Sequence, residues 1–132
     1  MSLEDDLKTA APVVLRLAMA FIFVWFGFSQ FLNPASWTGF VPAWAFNLSG
    51  ISSTTIVYLN SIFEMVAGVV LAMGIWARWV ALLLSVHLFV ISISMGTSAI
   101  GMRDLGLSFS TFCIFLFGDD AWSSKSVDKI EK

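Results

Sequence analysis

Residues 61–70 read SIFEMVAGVV and place one glutamate, Glu64, inside an apolar run that extends from Ile56 to Trp76. A run of this length matches the roughly twenty residues that a helix needs to cross a bilayer. In a soluble helix the carboxylate would simply face water, but at the centre of a bilayer an ionised side chain costs about 3 kcal/mol or more. An interpretation of the fold must therefore also explain the position of Glu64.

The composition indicates a membrane protein. The chain has 132 residues, of which 58% are hydrophobic and 12% are charged, against roughly 25% charged residues in soluble domains. So short a chain cannot bury this many apolar residues in one soluble core. The net charge of −2 does not support nucleic-acid binding. The single cysteine excludes an intramolecular disulfide and a metal site built from several thiolates.

The apolar runs predict an all-α fold, a single domain formed by an integral membrane bundle of four transmembrane helices. Pro12 suits a helix start, and Asn33-Pro34 should stop the first helix. The predicted helices span about 12–32, 55–76, 78–96 and 102–118, with an outer loop at 33–54 and a tail at 119–132.

The basic residues predict the orientation. The loop 33–54 has no lysine or arginine, whereas basic residues flank the other ends of the helices: Lys8, Arg78, Lys125, Lys129 and Lys132. The positive-inside rule therefore places both termini in the cytoplasm and the loop outside. Arg103, near the outer start of the fourth helix, is the exception.

The outer loop begins with NPASWTGFVPAWAFNLSG, residues 33–50. Its aromatic residues are too apolar to extend into water, while Pro42 and two glycines oppose a further span. Two interpretations remain open. The loop is either an interfacial segment that lies at the level of the headgroups, where tryptophan is favoured, or a lid over a cavity.

Polar residues cluster by depth in the outer half of the predicted spans. Glu64 lies about 13 Å from the outer end of its helix, and His87 about 14 Å from the cytoplasmic end of its own. Because lipid offers no hydrogen-bond partner, we expect the polar side chains of this layer to converge on one cavity. The candidate catalytic residues are Glu64 and His87, and the candidate substrate-binding residues are Gln30, Asn60 and Arg103.

Structural roles are the alternatives for these residues. Glu64 is either paired, with Arg103 or His87, or protonated, and a purely structural ion pair between helices would also explain it. His87 would suit a hydrogen-bonded core position. Arg16, near the cytoplasmic end of the first helix, is expected to snorkel to the interface or to join a structural ion pair, and Asp104 to form an ion pair or a helix cap.

The chain offers few ligands for a redox centre of its own. It has one histidine, which excludes a haem held by two histidines, and no cysteine cluster for iron–sulfur. No metal site is expected. Electrons would have to come from a diffusible cofactor or a partner protein.

Three stretches resemble the DoxX/DoxD family of small four-helix membrane proteins. They are LRLAMAFIFVWFGFSQFL at 15–32, EMVAGVVLAMGIWAR at 64–78 and MRDLGLSF at 102–109, and the likeness extends over about residues 13–116. The family often has lysine where this chain has Gln30.

The resemblance implies a membrane subunit of an oxidoreductase, as in the thiosulfate:quinone oxidoreductase of that family, while other members are linked to thiol-redox complexes. It implies a quinone or quinone-like molecule, no covalently bound cofactor, a prokaryotic plasma membrane, and a redox partner protein or a homo-oligomer. A non-catalytic scaffold or assembly subunit, or a carrier of a small lipid-like ligand, is the alternative.

Overall fold

The computed structural model describes residues 1–124. Its long helices are α1 (Leu3–Leu32), α3 (Ser53–Met73), α4 (Ala77–Met95) and α5 (Ala99–Phe117), with a short α2 (Ala43–Ser49) and two single turns of 3₁₀-helix between α1 and α3. All four long helices are long and apolar enough to cross a membrane, and residues 1–124 contain no strand. The predicted all-α four-helix membrane fold is confirmed. Lys125, Lys129, Lys132 and the rest of the predicted tail beyond residue 124 lie outside the described residues.

The first helix starts before Pro12. Ser2 caps it, because its side chain accepts a hydrogen bond from the Asp5 amide while the Asp5 carboxylate accepts one from the Ser2 amide. Pro12 therefore lies inside α1 rather than at its start. The last helix, α5, was predicted to start near residue 102 but starts at Ala99. The Ser98 hydroxyl caps it by accepting a hydrogen bond from the Gly101 amide at 3.0 Å.

A tight turn joins α3 to α4. Gly74 ends α3 with φ of 71°, and Trp76 precedes α4 with φ of 47°. A Cβ atom on Gly74 would lie 2.6 Å from the Ser123 Cα, so the segment that follows α5 rests directly on this turn. Glycine is needed at position 74 for both its backbone conformation and this close approach.

The helices form two tightly packed pairs, α1 with α3 and α4 with α5, and the two pairs meet along a less extensive seam. Glycines allow the close contact within the first pair. A Cβ on Gly27 would lie 2.7 Å from both the Ser61 carbonyl oxygen and Met65 Cγ, and a Cβ on Gly68 would lie 2.8 Å from Val24. Small residues at such crossings are typical of helix packing in membranes.

A buried ion pair closes one end of the seam, near the α3–α4 turn. Arg16 of α1 is only 1% exposed. Its Nε donates to Asp120 Oδ2 at 2.6 Å, and its Nη1 donates to the carbonyl oxygens of Leu71 and Ala72 at the end of α3. The expectation that Arg16 snorkels to the interface is therefore wrong. Asp120 neutralises the guanidinium inside the protein, so the side chain does not need to reach water.

We expect Gly27→Ala to lower the stability of the bundle by about 1–3 kcal/mol, because the added methyl group must displace α3 backbone. Gly106→Ala is the matched control, since a Cβ there meets nothing within 4 Å, and it should be neutral or stabilising by up to about 1 kcal/mol through helix propensity. Thermal unfolding in detergent measures both. Equal midpoints for the two variants would contradict the close packing of α1 on α3.

Candidate functional site

A cavity of about 440 Å³ lies at the opposite end of the seam from Arg16. All four long helices line it, and six residues within 37–45 of the segment between α1 and α3 line it as well. Most of its lining is apolar. The polar lining residues include every one assigned to a site from the sequence, except Arg16: Gln30, Asn60, Glu64, His87, Arg103 and Asp104. The structure thus brings the predicted layer of polar residues together in one cavity.

Three side chains form a hydrogen-bonded chain across the α1–α3 contact. Gln30 Nε2 donates to Glu64 Oε2 at 2.8 Å, and Asn60 Nδ2 donates to Gln30 Oε1 at 2.8 Å. Gln30 is 6% exposed and Glu64 is 4% exposed. We call Asn60, Gln30 and Glu64 the amide–carboxylate chain. Glu64 therefore points into the bundle, where Gln30, rather than a cation, is its direct hydrogen-bond partner.

His87 completes this group from α4. Its Nε2 lies 3.6 Å from Glu64 Oε1, slightly beyond a hydrogen bond. This nitrogen is buried and has no hydrogen-bond partner, and it is the one such side-chain atom found within residues 1–124. The Phe63 ring packs edge-on against the imidazole, with the ring centroids 4.8 Å apart. A small movement would close the gap to Glu64 and satisfy the buried nitrogen.

Arg103 does not pair with Glu64. Its Nε and Nη2 both lie within 3 Å of Asp104 Oδ1, at 2.9 Å and 2.8 Å, and its guanidinium carbon lies 5.0 Å from the centre of the Phe26 ring. Asp104 is 6% exposed, whereas the Arg103 side chain is 45% exposed. The buried neighbouring carboxylate holds the guanidinium, so Arg103 lines the cavity without fixing the charge of Glu64. For Asp104, the structure has the expected ion pair.

The segment between α1 and α3 covers the cavity, as the lid interpretation requires. We call residues 33–52 the lid segment. Trp37 packs edge-on against Phe26 of α1, with centroids 5.9 Å apart. The Trp44 indole N–H donates to the Ser94 hydroxyl of α4 at 3.3 Å. The lid segment therefore contacts both helix pairs and spans the open end of the seam.

The partner of Arg16 and the contacts of the lid segment could not be found in the sequence alone. Asp120, the partner of Arg16, follows α5 in a stretch read only as tail. The one available signal was the buried-charge rule, because an arginine placed on an inward helix face needs an acidic partner. The lid tryptophans gave a compositional signal but no indication of which helices they contact.

This arrangement can bind an apolar molecule that carries a few polar groups. The walls provide apolar contact, Arg103 provides hydrogen-bond donors, and His87 beside Glu64 can hold or exchange a proton. No group of three or more His, Cys, Asp or Glu side chains that could hold a metal ion lies together in the described part of the chain.

The fold and the cavity define a class: a small four-helix integral membrane protein with a buried polar cluster in an apolar cavity. The family model of DoxX matches residues 11–97, which is most of the chain, and the chain belongs to the DoxX family. The matched range ends before α5, so MRDLGLSF with Arg103 and Asp104 lies beyond it. No curated protein and no solved structure matches the chain.

We expect Glu64→Gln to preserve the fold and Glu64→Leu to destabilise it by about 1–3 kcal/mol, because leucine leaves the buried Gln30 Nε2 donor without an acceptor. The glutamine variant keeps one carbonyl oxygen for that donor. Thermal unfolding of both variants in the same detergent is the measurement. A leucine variant as stable as the parent would show that the Gln30–Glu64 hydrogen bond contributes nothing.

Proposed function

We propose that this chain is a membrane subunit of an oxidoreductase and that it binds a quinone or a quinone-like ring in the cavity beside Glu64 and His87. The observation that carries the proposal is the concentration of buried polar groups in a cavity whose walls are otherwise apolar. Ring compounds with polar substituents fit such sites, since the walls bind the ring and the few polar groups orient it. Membership of the DoxX family supports the same choice.

The cavity volume is consistent with this ligand. About 440 Å³ falls within the roughly 300–1,000 Å³ of small-molecule sites. The aromatic side chains of Phe26 and Trp37 offer ring faces and edges to an aromatic ligand.

In a site of this kind, different residues would exchange protons and hold the ligand. Reduction of a quinone to a hydroquinone takes two electrons and two protons, and the electrons would come from a redox partner protein. Glu64 and His87 are the candidates for proton exchange, because they lie 3.6 Å apart at the cavity, whereas the Asp104 carboxylate is paired with Arg103. Arg103 would donate a hydrogen bond to a ligand oxygen, and Asp104 would keep its guanidinium in place.

Titration of a short-chain ubiquinone or menaquinone analogue, oxidised and reduced, onto the purified protein tests this proposal. We expect saturable quenching of tryptophan fluorescence, because Trp37 and Trp44 line the cavity. Glu64→Ala and His87→Ala should each weaken binding by roughly tenfold, the value of about one hydrogen bond. His87→Ala removes a polar group of the cavity, and Glu64→Ala removes the acceptor that orients Gln30.

A matched pair of tryptophan variants controls this titration. Trp44→Phe should reduce the quenching, whereas Trp25→Phe should leave it unchanged, since Trp25 is 61% exposed and does not line the cavity. If neither redox form binds, or if both alanine variants bind like the parent, the non-catalytic scaffold or carrier takes the place of the quinone-binding subunit.

We also propose that both termini lie in the cytoplasm of a prokaryotic cell and that the lid segment faces outward. The basic residues Lys8 and Arg78 support this orientation. Ser36 follows α1 and Ala121 follows α5, so the two positions lie at opposite ends of the bundle.

Cysteine labelling in intact cells tests the orientation, in a Cys113→Ala background that removes the native thiol. A membrane-impermeant maleimide should modify Ser36→Cys and spare Ala121→Cys, because only the first would face the outside. Both positions are exposed on the protein, so permeabilised cells should label both equally. The reverse pattern in intact cells would overturn the topology.

A further inference from the structure

The amide–carboxylate chain has a direction, and Glu64 sets it. A carboxylate only accepts hydrogen bonds, whereas an amide side chain both donates and accepts. Gln30 must therefore turn its NH₂ group toward Glu64 Oε2, which leaves its oxygen facing Asn60. Asn60 must then turn its own NH₂ group toward Gln30. Both amides donate toward the carboxylate, and the Asn60 Oδ1 acceptor and the second hydrogen of the Asn60 NH₂ group are left over.

The same reasoning applies to His87. Its buried Nε2 lies 3.6 Å from Glu64 Oε1 and has no other partner. A lone pair on Nε2 would face the lone pairs of the carboxylate, so the favourable state has the proton on Nε2. A neutral imidazole carries one N–H. The other nitrogen, Nδ1, is then an acceptor, and we assign it to a molecule in the cavity, because His87 lines the cavity and its Nε2 is buried beside Glu64.

We infer that the cavity selects a ring that carries a hydroxyl group, such as a phenol or a hydroquinone, over the same ring with only acceptor oxygens. Asn60 Oδ1 and His87 Nδ1 are acceptors that no donor of the polar cluster satisfies, and the hydroxyl hydrogen of a bound molecule satisfies either of them, whereas an oxygen that only accepts satisfies neither. Arg103 supplies the donors of the cavity for a second oxygen. This inference rests on the proposed function and names the redox form that the site prefers.

A redox-inert pair of compounds tests this preference directly. A para-alkylphenol and its methyl ether share their ring and tail and differ by one donor hydrogen. At pH 8 we expect the phenol to bind roughly tenfold more tightly, the value of about one hydrogen bond. Under anaerobic conditions a short-chain hydroquinone should likewise bind more tightly than its quinone. Equal affinities within both pairs, or tighter binding of ether and quinone, would overturn the inference.

Gln30 is the positioning residue in this account, since its amide hydrogen-bonds to both Glu64 and Asn60 and so orients both side chains. Gln30→Met keeps the length of the side chain and removes the amide. The variant should lose most of the preference for the phenol over the methyl ether, measured as the ratio of the two affinities. Ser110→Ala is the control, because Ser110 bonds to the Gly106 carbonyl and does not line the cavity. An unchanged preference in Gln30→Met would exclude a positioning role.

Nitrogen NMR provides a readout that needs no bound compound. His87 is the one histidine of the chain, so ¹⁵N-histidine labelling yields a single imidazole. At pH 8 we expect the Nε2–H tautomer in the parent and a mixture of tautomers in Glu64→Leu. An Nδ1–H tautomer in the parent would overturn the inference whatever binds. If no ring compound binds, the proposed function fails as well, whereas equal binding of phenol and ether refutes the hydroxyl preference alone.

Discussion

The ion pair between Arg16 and Asp120 is the contact on which the arrangement of the helices depends. Within a bilayer an arginine has no water to solvate it, so its charge must be neutralised and its donors must be satisfied by the protein. Arg16 achieves this by contacting Asp120 beyond α5 and two carbonyl groups at the end of α3. A single side chain of α1 thereby connects both helix pairs. Removing one partner of such a buried pair typically costs about 3–5 kcal/mol.

The Arg16–Asp120 ion pair closes the seam at this end, and the cavity lies at the other end. The two helix pairs contact each other less than the helices within each pair do, and the space between them is filled at the Arg16 end by Leu71, Leu84 and Ile114. At the opposite end polar side chains line the gap between the pairs and the lid segment covers it. The same constraint acts at both ends. Where all the hydrogen-bonding groups of a buried polar side chain have partners, as at Arg16, the helix pairs are closed. Where a group is left without a partner, as at His87 Nε2, a molecule can bind.

The sequence predicted the fold because long apolar runs and their interruptions suffice for it, and it predicted the polar residues of the cavity because charges at matched depth must face inward. The partners within that layer could not be predicted. Depth alone allowed Arg103 to reach Glu64, but the Arg103 guanidinium pairs with Asp104, its immediate neighbour in the chain. Gln30 reaches Glu64 instead, across the close α1–α3 contact. The start of α1 was predicted too late, at Pro12, because the capping box at Ser2 lies outside any apolar run.

The most direct test of a ligand-binding cavity is to identify what occupies it in the cell. Protein purified in mild detergent without added ligand can be extracted with organic solvent and the extract quantified by mass spectrometry against the protein. This account predicts a quinone or hydroquinone in near-equimolar amount in the parent and its loss in Glu64→Ala, with bound phospholipid unchanged between the two. Phospholipid alone in the parent, or equal amounts of the ring compound in both proteins, would contradict it.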